Sequence, residues 1–323
     1  MKLAVDVMGS DKGSSVIIQG CKNFVKDYDC TLVLYGSEED LQSLEQHKKL
    51  EKVITTQVME MTDGALAVRR KKDSSMVRAM EDLKNHKVDG VVSCGSTGAL
   101  LSAATLLLGT LPNVERPAIL TVLPNVTGRG VVILDIGANA ENTPEHLNCF
   151  AVLGSAYSKG VMGMSDPKAG LLNIGTEEKK GNDMHREAYR LLKQNTSVHF
   201  IGNIEGKDVL NSDVDVVVTD GFCGNIMLKT IEGGSKFMMG TLKKNLKSTT
   251  LSTIGALLSK KALGNVKKQL DPDQYGGAVI VGLNGAVVKG HGSSGEVACY
   301  NAIRQLYQVV DARVTDKVRE ELA

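Results

Sequence analysis

The sequence predicts an α/β fold in which a mostly parallel sheet is flanked by helices, and three observations carry that prediction. Short β-branched runs alternate with segments of helical periodicity along most of the chain, the pattern of strand, crossover helix and parallel strand. Two of those runs pass through glycine-bounded turns straight into apolar helix starts, at 95–98 and 221–224. At 323 residues the chain is long enough to bury a large core as a single α/β domain over 1–323.

Taken in order, residues 3–8 read as a first buried strand, and Gly9-Ser10-Asp11 supplies a turn and an N-cap candidate before a helix over about 14–28. Asp6 and Asp11 stand at that strand's exit, either to hold a ligand or to serve only as turn and cap. Residues 31–35 give the next strand and 38–48 a charged surface helix. Arg69, Arg70, Lys71 and Lys72 precede Asp73-Ser74-Ser75 and a helix from Met76. An anion at that helix start would meet both the cations and free amides; the alternative is a solvated face. Residues 88–93 enter the first glycine turn as a buried strand.

Residues 118–122 and 131–136 are β-branched strands, and 137–146 leads into a helix with Pro144 in its first turn. Asn139 sits at a strand exit, as a ligand contact or as a turn residue. Residues 170–174 form another strand, leaving through a loop, 175–182, that mixes acids, lysines and glycines before a helix near Asp183. Strands at 198–201 and 214–219 complete the alternation. Residues 275–294 read as a β-hairpin ending in a glycine-rich turn with His291, Ser293 and Ser294, and a helix from 296 to about 317 closes the chain.

The chemistry concentrates at the two glycine turns. In Gly95-Ser96-Thr97-Gly98 the glycines let backbone N–H groups approach a ligand, the hydroxyls add donors, and the helix start presents unpaired amides. Gly221-Phe222-Cys223-Gly224 repeats the strand, the turn and the helix start in the same register, so the two turns are expected to face one cleft as an anion site. Cys94 and Cys223 adjoin them, as packing thiols or as nucleophiles activated by a helix N-terminus.

Composition narrows the partners. Lys plus Arg number 38 against 37 Asp plus Glu, so only local clusters inform about charged partners, and the lack of any Trp disfavours readers of single-stranded nucleic acid. Six cysteines without C-x-x-C spacing read as free thiols of a reducing, cytoplasmic compartment. Neither a signal peptide, a bilayer-spanning run nor a zinc motif is present in the pattern. From 236 to 268 the character changes to eight lysines, no acids and recurrent apolar residues, among them Leu251, Ile254, Leu257 and Leu258. This inserted amphipathic arm fits either an anionic membrane surface or a contact with a second subunit.

A collinear series of motifs runs through nearly the whole chain: Met8-Gly-Ser-Asp11, the turn at 95–99, Leu134-Asp-Ile-Gly-Ala-Asn139, Pro144-Glu-His-Leu147, Leu172-Asn-Ile-Gly175, Gly181-Asn182, Phe200-Ile-Gly-Asn203, Glu205-Gly206, Val218-Thr-Asp-Gly-Phe222, Tyr275-Gly-Gly277 and His291-Gly-Ser-Ser294. In these the chain resembles the bacterial acyl-carrier-protein:phosphate acyltransferases of phospholipid synthesis. The resemblance departs at Ser10, Gly13-Ser14, Cys94, Ser96 and Cys223, where the family usually has Gly, Ala-Pro, Ala, Asn and Thr. The two cysteine departures weaken any covalent-thiol mechanism.

The resemblance implies a Rossmann-like fold related to phosphotransacetylases and isocitrate-dehydrogenase-like enzymes, a homodimer, no metal or redox cofactor, and transient membrane association. It implies transfer of a fatty acyl group from acyl carrier protein to inorganic phosphate, the acyl phosphate passing to a membrane glycerol-3-phosphate acyltransferase. For that chemistry Lys180 or Asn225 is expected to polarise the thioester carbonyl, His291 to protonate the leaving thiolate and Asp220 to orient a cation. Asp6, Asn139, Ser293 and both glycine turns would hold phosphate or substrate. Arg69, Arg70 and Lys72 would dock the acidic carrier protein. The alternatives are a phosphotransacetylase that uses coenzyme A and small acyl groups, and a non-catalytic, membrane-associated anion-binding module.

Overall fold

Continuous apolar runs become central strands because both faces of the sheet are covered. The computed structural model describes residues 1–42, 44, 47–270, 276–292 and 294–322. Within them β1 (Lys2–Asp6), β2 (Thr31–Gly36), β3 (Leu50–Ile54), β4 (Gly90–Ser93), β5 (Ala118–Leu123), β6 (Val131–Leu134), β7 (Lys168–Asn173), β8 (His199–Glu205), β9 (Val216–Val218), β10 (Ala278–Val281) and β11 (Ala286–Lys289) join one sheet in the order β3-β2-β1-β4-β11-β10-β5-β6-β9-β7-β8. One apolar layer under the sheet comes from α1 (Ser14–Asp27), α6 (Pro144–Val161), α7 (Asp183–Gln194), α11 (Glu296–Asp311) and α12 (Val314–Glu321). The opposite layer comes from α3 (Ala65–Arg70), α4 (Ser75–Lys84) and α5 (Thr97–Leu108). Side chains such as Leu3, Leu32 and Phe24 are fully buried between them, each stabilising the fold by roughly 1.5–3 kcal/mol.

Pairing sense decides where the strands end. β1, β2, β3, β4 and β11 are mutually parallel, β10 runs antiparallel to both β11 and β5, and β6 runs antiparallel to β5. β9, β7 and β8 then follow β6 in parallel. The strands on the two sides of this antiparallel centre therefore run in opposite senses. Loops leaving β1, β4 and β11 gather at one edge of the sheet, and loops leaving β6, β7 and β9 gather at the other.

Several expectations shift in detail. The charged helix expected over 38–48 is only α2 (Glu38–Gln42), and the chain turns back at 47–50 into β3. β3 is an outer strand with Glu51 and Lys52 in solvent, so its polarity hid it. The strand expected at 198–201 extends to Glu205 as β8. The hairpin of 275–294 forms as β10 and β11, while Tyr275 and Ser293 lie outside the described residues.

The change of character at Lys236 falls inside α8 (Gly221–Leu246), a helix of 26 residues whose first turn belongs to the sheet. Only Gly221 and Gly224 of α8 are buried. Beyond it, α9 (Thr250–Leu258) buries nothing, and α10 (Lys260–Leu270) follows; the substantial contacts of these two helices are with each other and α8.

Candidate active site

The first edge is built around a buried carboxylate. Asp6 accepts a hydrogen bond from Ser93 Oγ at 2.6 Å and one from Met8 N at 3.1 Å. At 2% exposure it braces β1 against β4 rather than facing a ligand, which corrects its expected role. Burial pushes its pKa up, against the pull of its hydrogen bonds and of Lys289. Lys289, also buried, has its ammonium pKa pushed down by burial and donates to Gly290 O. Gly9 has φ 74° and lies so close to Met59 O that a Cβ would meet it at 2.8 Å.

Above this brace Gly95 N donates to Ser93 Oγ, and Ser96 caps α5 by accepting from Ala99 N. The N–H groups of Thr97 and Gly98 keep no partner among the described residues, and nothing lies within 4 Å of a Cβ built on Gly98. His291 lies at this same edge, where Gly292 O accepts from Asp11 N and Ser10 Oγ.

The second edge has a different organiser, Asp135, which follows β6. Its carboxylate accepts from the backbone N–H groups of Ile119, Gly137, Ala138 and Asn139 and from Asn139 Nδ2. Burial still holds its pKa above the ordinary value. Asn139 Nδ2 also donates to Pro117 O, so Asn139 is a buried strut and not the ligand contact expected of it.

The second glycine turn packs on this loop. A Cβ on Gly221 would meet Asn139 O at 2.2 Å, and one on Gly224 would meet Asp135 O at 1.9 Å. Three of its four amides are already used: Gly221 N donates to Asn142 Oδ1, Cys223 N to Asp220 Oδ1 and Gly224 N to Asp220 O. Asp220, the N-cap, also places a carboxylate where a phosphate would have to approach.

These contacts correct the expectation of twin anion turns in one register. Gly95 precedes the N-cap Ser96, whereas Gly221 follows the N-cap Asp220. The strands that feed the turns run in opposite senses, five places apart in the sheet. At about 4.8 Å per strand the turns are on the order of 20 Å apart, too far for one phosphate to touch both.

Three of the four expected catalytic residues lie at the second edge. A Cβ on Gly137 would meet Asn225 Cγ at 3.5 Å, which places Asn225 over the Asp135 loop. Lys180 lies in the loop after β7; its carbonyl accepts from Asn173 Nδ2, and its half-exposed ammonium stands 3.8 Å from Glu177. Asp220 faces His185, which the sequence reading missed although Asn182-x-x-His185 announces a helix cap. His185 Nδ1 is 2.7 Å from Asn182 Oδ1 and its Nε2 3.9 Å from Asp220 Oδ2. Burial lowers the His185 pKa, with Asp220 opposing. Lys229, exposed one helical turn beyond Asn225, was also missed. His291 is the exception, since it leaves the sheet at the other edge.

The remaining expectations divide. Ser74 caps α4 by accepting from Val77 N, both Ser74 and Ser75 are buried, and Lys71 is committed to Asp63 at 2.6 Å. The anion site expected at that helix start is therefore closed, while Arg69, Arg70 and Lys72 remain exposed. Cys94 is buried with its thiol pKa well above the ordinary value, and burial holds that of Cys223 at about 11, with Asp220 adding to the shift. Neither presents a ready thiolate.

Comparison with known proteins places this arrangement. The family described as Fatty acid synthesis protein matches residues 1–317. A phosphate acyltransferase of Macrococcus caseolyticus is 43% identical over 324 residues, covering 100% of this chain and 99% of the relative. One of Staphylococcus aureus is 42% identical, covering 99% and 98%. Among solved structures, a phosphotransacetylase from Streptococcus pyogenes superposes with a TM-score of 0.65 at 16% identity, over 98% of this chain and 94% of that one. The EutD phosphotransacetylase from Staphylococcus aureus gives 0.62 at 19%, over 96% and 94%. At such identities these two share the fold.

Proposed function

This chain belongs to the phosphate acyltransferase family, and we propose that it moves a fatty acyl group from acyl carrier protein to inorganic phosphate at the β6, β7 and β9 edge. The observation that supports the placement is that Asn225, lying over the Asp135 loop, and Lys180, in the loop after β7, stand at the same edge of the sheet. Phosphate is already an anionic nucleophile at neutral pH, so the site has to hold it against a thioester carbonyl rather than activate it. Lys180 and Lys229 supply the positive charge for phosphate. Asn225 Nδ2 donates to the carbonyl oxygen as it gains charge in the transition state. A phosphate oxygen bonds to the carbonyl carbon, the carbon–sulfur bond breaks, and sulfur leaves with the electron pair. A thiol with a pKa of about 8.5 departs as thiolate without an acid, so the reaction does not need His291. His185 and Asp220 fix the α7 and α8 starts on either side of the reacting atoms.

At the opposite edge of the sheet, beside the first glycine turn, the carrier protein, acidic in general, docks on Arg69, Arg70 and Lys72. The apolar side chains of α9, Leu251, Ile254, Leu257 and Leu258, are all exposed and meet a membrane surface, a second subunit or both. No helix among the described residues is long and apolar enough to cross a membrane; the attachment proposed here is peripheral, through α9. The product passes to a glycerol-3-phosphate acyltransferase in that membrane. The test is to trap acyl phosphate as a hydroxamate, offering palmitoyl carrier protein or acetyl-CoA with phosphate. Product from the first alone supports this reading; product from the second alone would make the protein a phosphotransacetylase of small acyl groups.

A further inference from the structure

A fatty acyl donor brings a hydrocarbon chain to the reacting carbonyl, and only an apolar surface beside that carbonyl can sense it. At the second edge three large apolar side chains stand in solvent: Phe222 is 62% exposed, Ile226 50% and Ile174 81%. The helix itself explains two of them. Gly221 and Gly224 press the first turn of α8 onto Asn139 and Asp135. At 3.6 residues per turn, Phe222 and Ile226 then fall on the far side and Asn225 on the flank, between that side and the buried glycines. Ile174 follows Asn173 at the end of β7, in the loop that carries Lys180. The parallel register Leu171↔Val218, carried past the strand ends, sets that residue beside the start of α8.

The exposed face continues up the helix past the exposed Lys229 and Thr230, through Gly233, to Phe237, which is 74% exposed. At 1.5 Å per residue this face extends about 18 Å beyond Asn225, comparable to the length of a long fatty chain. We infer that Phe222, Ile226 and Ile174 form the acyl-chain subsite and set chain-length preference, the chain running from Asn225 along the outer face of α8 toward Phe237. The inference rests on placing the reaction at Asn225. It commits the face to the substrate's own hydrocarbon because the face is continuous with the reacting atoms and begins one residue from Asn225.

The experiment measures kcat/KM for long-chain and short-chain acyl carrier substrates, and KM for phosphate, in the wild type, Phe222→Ala, Ile226→Thr and the double variant. Each methylene fully removed from water is worth roughly fourfold in binding, so lost contact with even two is worth roughly fifteenfold. The expected result is that the long-to-short ratio of kcat/KM falls by about tenfold or more in the double variant while KM for phosphate holds, with Phe222→Leu restoring most of the ratio. Equal losses for both chain lengths, or no loss for either, would overturn the subsite. A double variant that turns from dimer to monomer without a change in the ratio would assign the face to a second copy and also overturn it. Asn225→Ala is measured alongside: full activity in that variant rejects the placement of the reaction, whereas a flat ratio with Asn225 essential rejects the acyl subsite alone.

Discussion

His185 Nε2 faces Asp220 Oδ2 across 3.9 Å, His185 standing in the first turn of α7 and Asp220 capping α8 at the same edge of the sheet. Burial keeps the imidazole neutral to a lower pH than usual, with Asp220 pulling the other way. The folded pKa of His185 is thus depressed below its ordinary 6.5. A depressed pKa contributes stability above the unfolded value and loses it as pH falls, because the unfolded chain takes up the proton first. Thermal unfolding followed from pH 8 to pH 5 is expected to show the wild type losing Tm below about 6.5 more steeply than His185→Gln. Parallel curves would show that His185 is not linked to folding.

Two glycines that look alike in the sequence are expected to behave oppositely. A Cβ at Gly224 would meet Asp135 O at 1.9 Å, whereas nothing lies within 4 Å of one at Gly98. Gly224→Ala should lower Tm sharply or prevent soluble expression, by at least about 2 kcal/mol, since backbone on both sides must shift. Gly98→Ala should be neutral or stabilising by up to about 1 kcal/mol, because alanine suits helical backbone better than glycine and nothing stands in the way of its methyl group. Urea unfolding of the two variants reads this contrast directly.

That contrast also shows how far the sequence could be read. The alternating β-branched runs and turn glycines placed β1, α1, β5, β6 and the β10–β11 hairpin, because periodicity and turn chemistry are local properties. β3 escaped because its polar Glu51 and Lys52 resemble the charged helix before it. The pairing of strands across the sheet leaves no local mark. Gly95 and Gly221 therefore looked equivalent, although one precedes a serine cap with open amides and the other follows an aspartate cap with most of its amides taken. For the same reason nothing local in the sequence marks that Asn225, Lys180 and Asp220 share one edge of the sheet and His291 the other, a division made by the three antiparallel pairings between β11 and β6.

Charge reversal of Arg69, Arg70 and Lys72 to glutamate is expected to raise KM for acyl carrier protein severalfold and leave KM for phosphate unchanged. The effect should shrink as salt rises, since the contact is between exposed charges. Steady-state kinetics with each substrate varied in turn makes the measurement, and equal effects on both KM values would reject the docking surface.

The outer face of α9 is testable without turnover. Ile254→Asp combined with Leu257→Asp is expected to abolish flotation with anionic liposomes, because charge on that face opposes its entry into the interfacial layer. Flotation that survives both changes would rule out α9 as the lipid contact.

The most direct test of the account is the single-turnover rate of acyl phosphate formation in Asn225→Ala and His291→Ala, measured at saturating phosphate. Loss of a transition-state donor is worth about 10²–10³ in rate, and Asn225→Ala is predicted to lose that much while His291→Ala retains the chemical step within about tenfold. A full rate in Asn225→Ala together with a collapsed rate in His291→Ala would put the reaction at the other edge of the sheet and contradict the account.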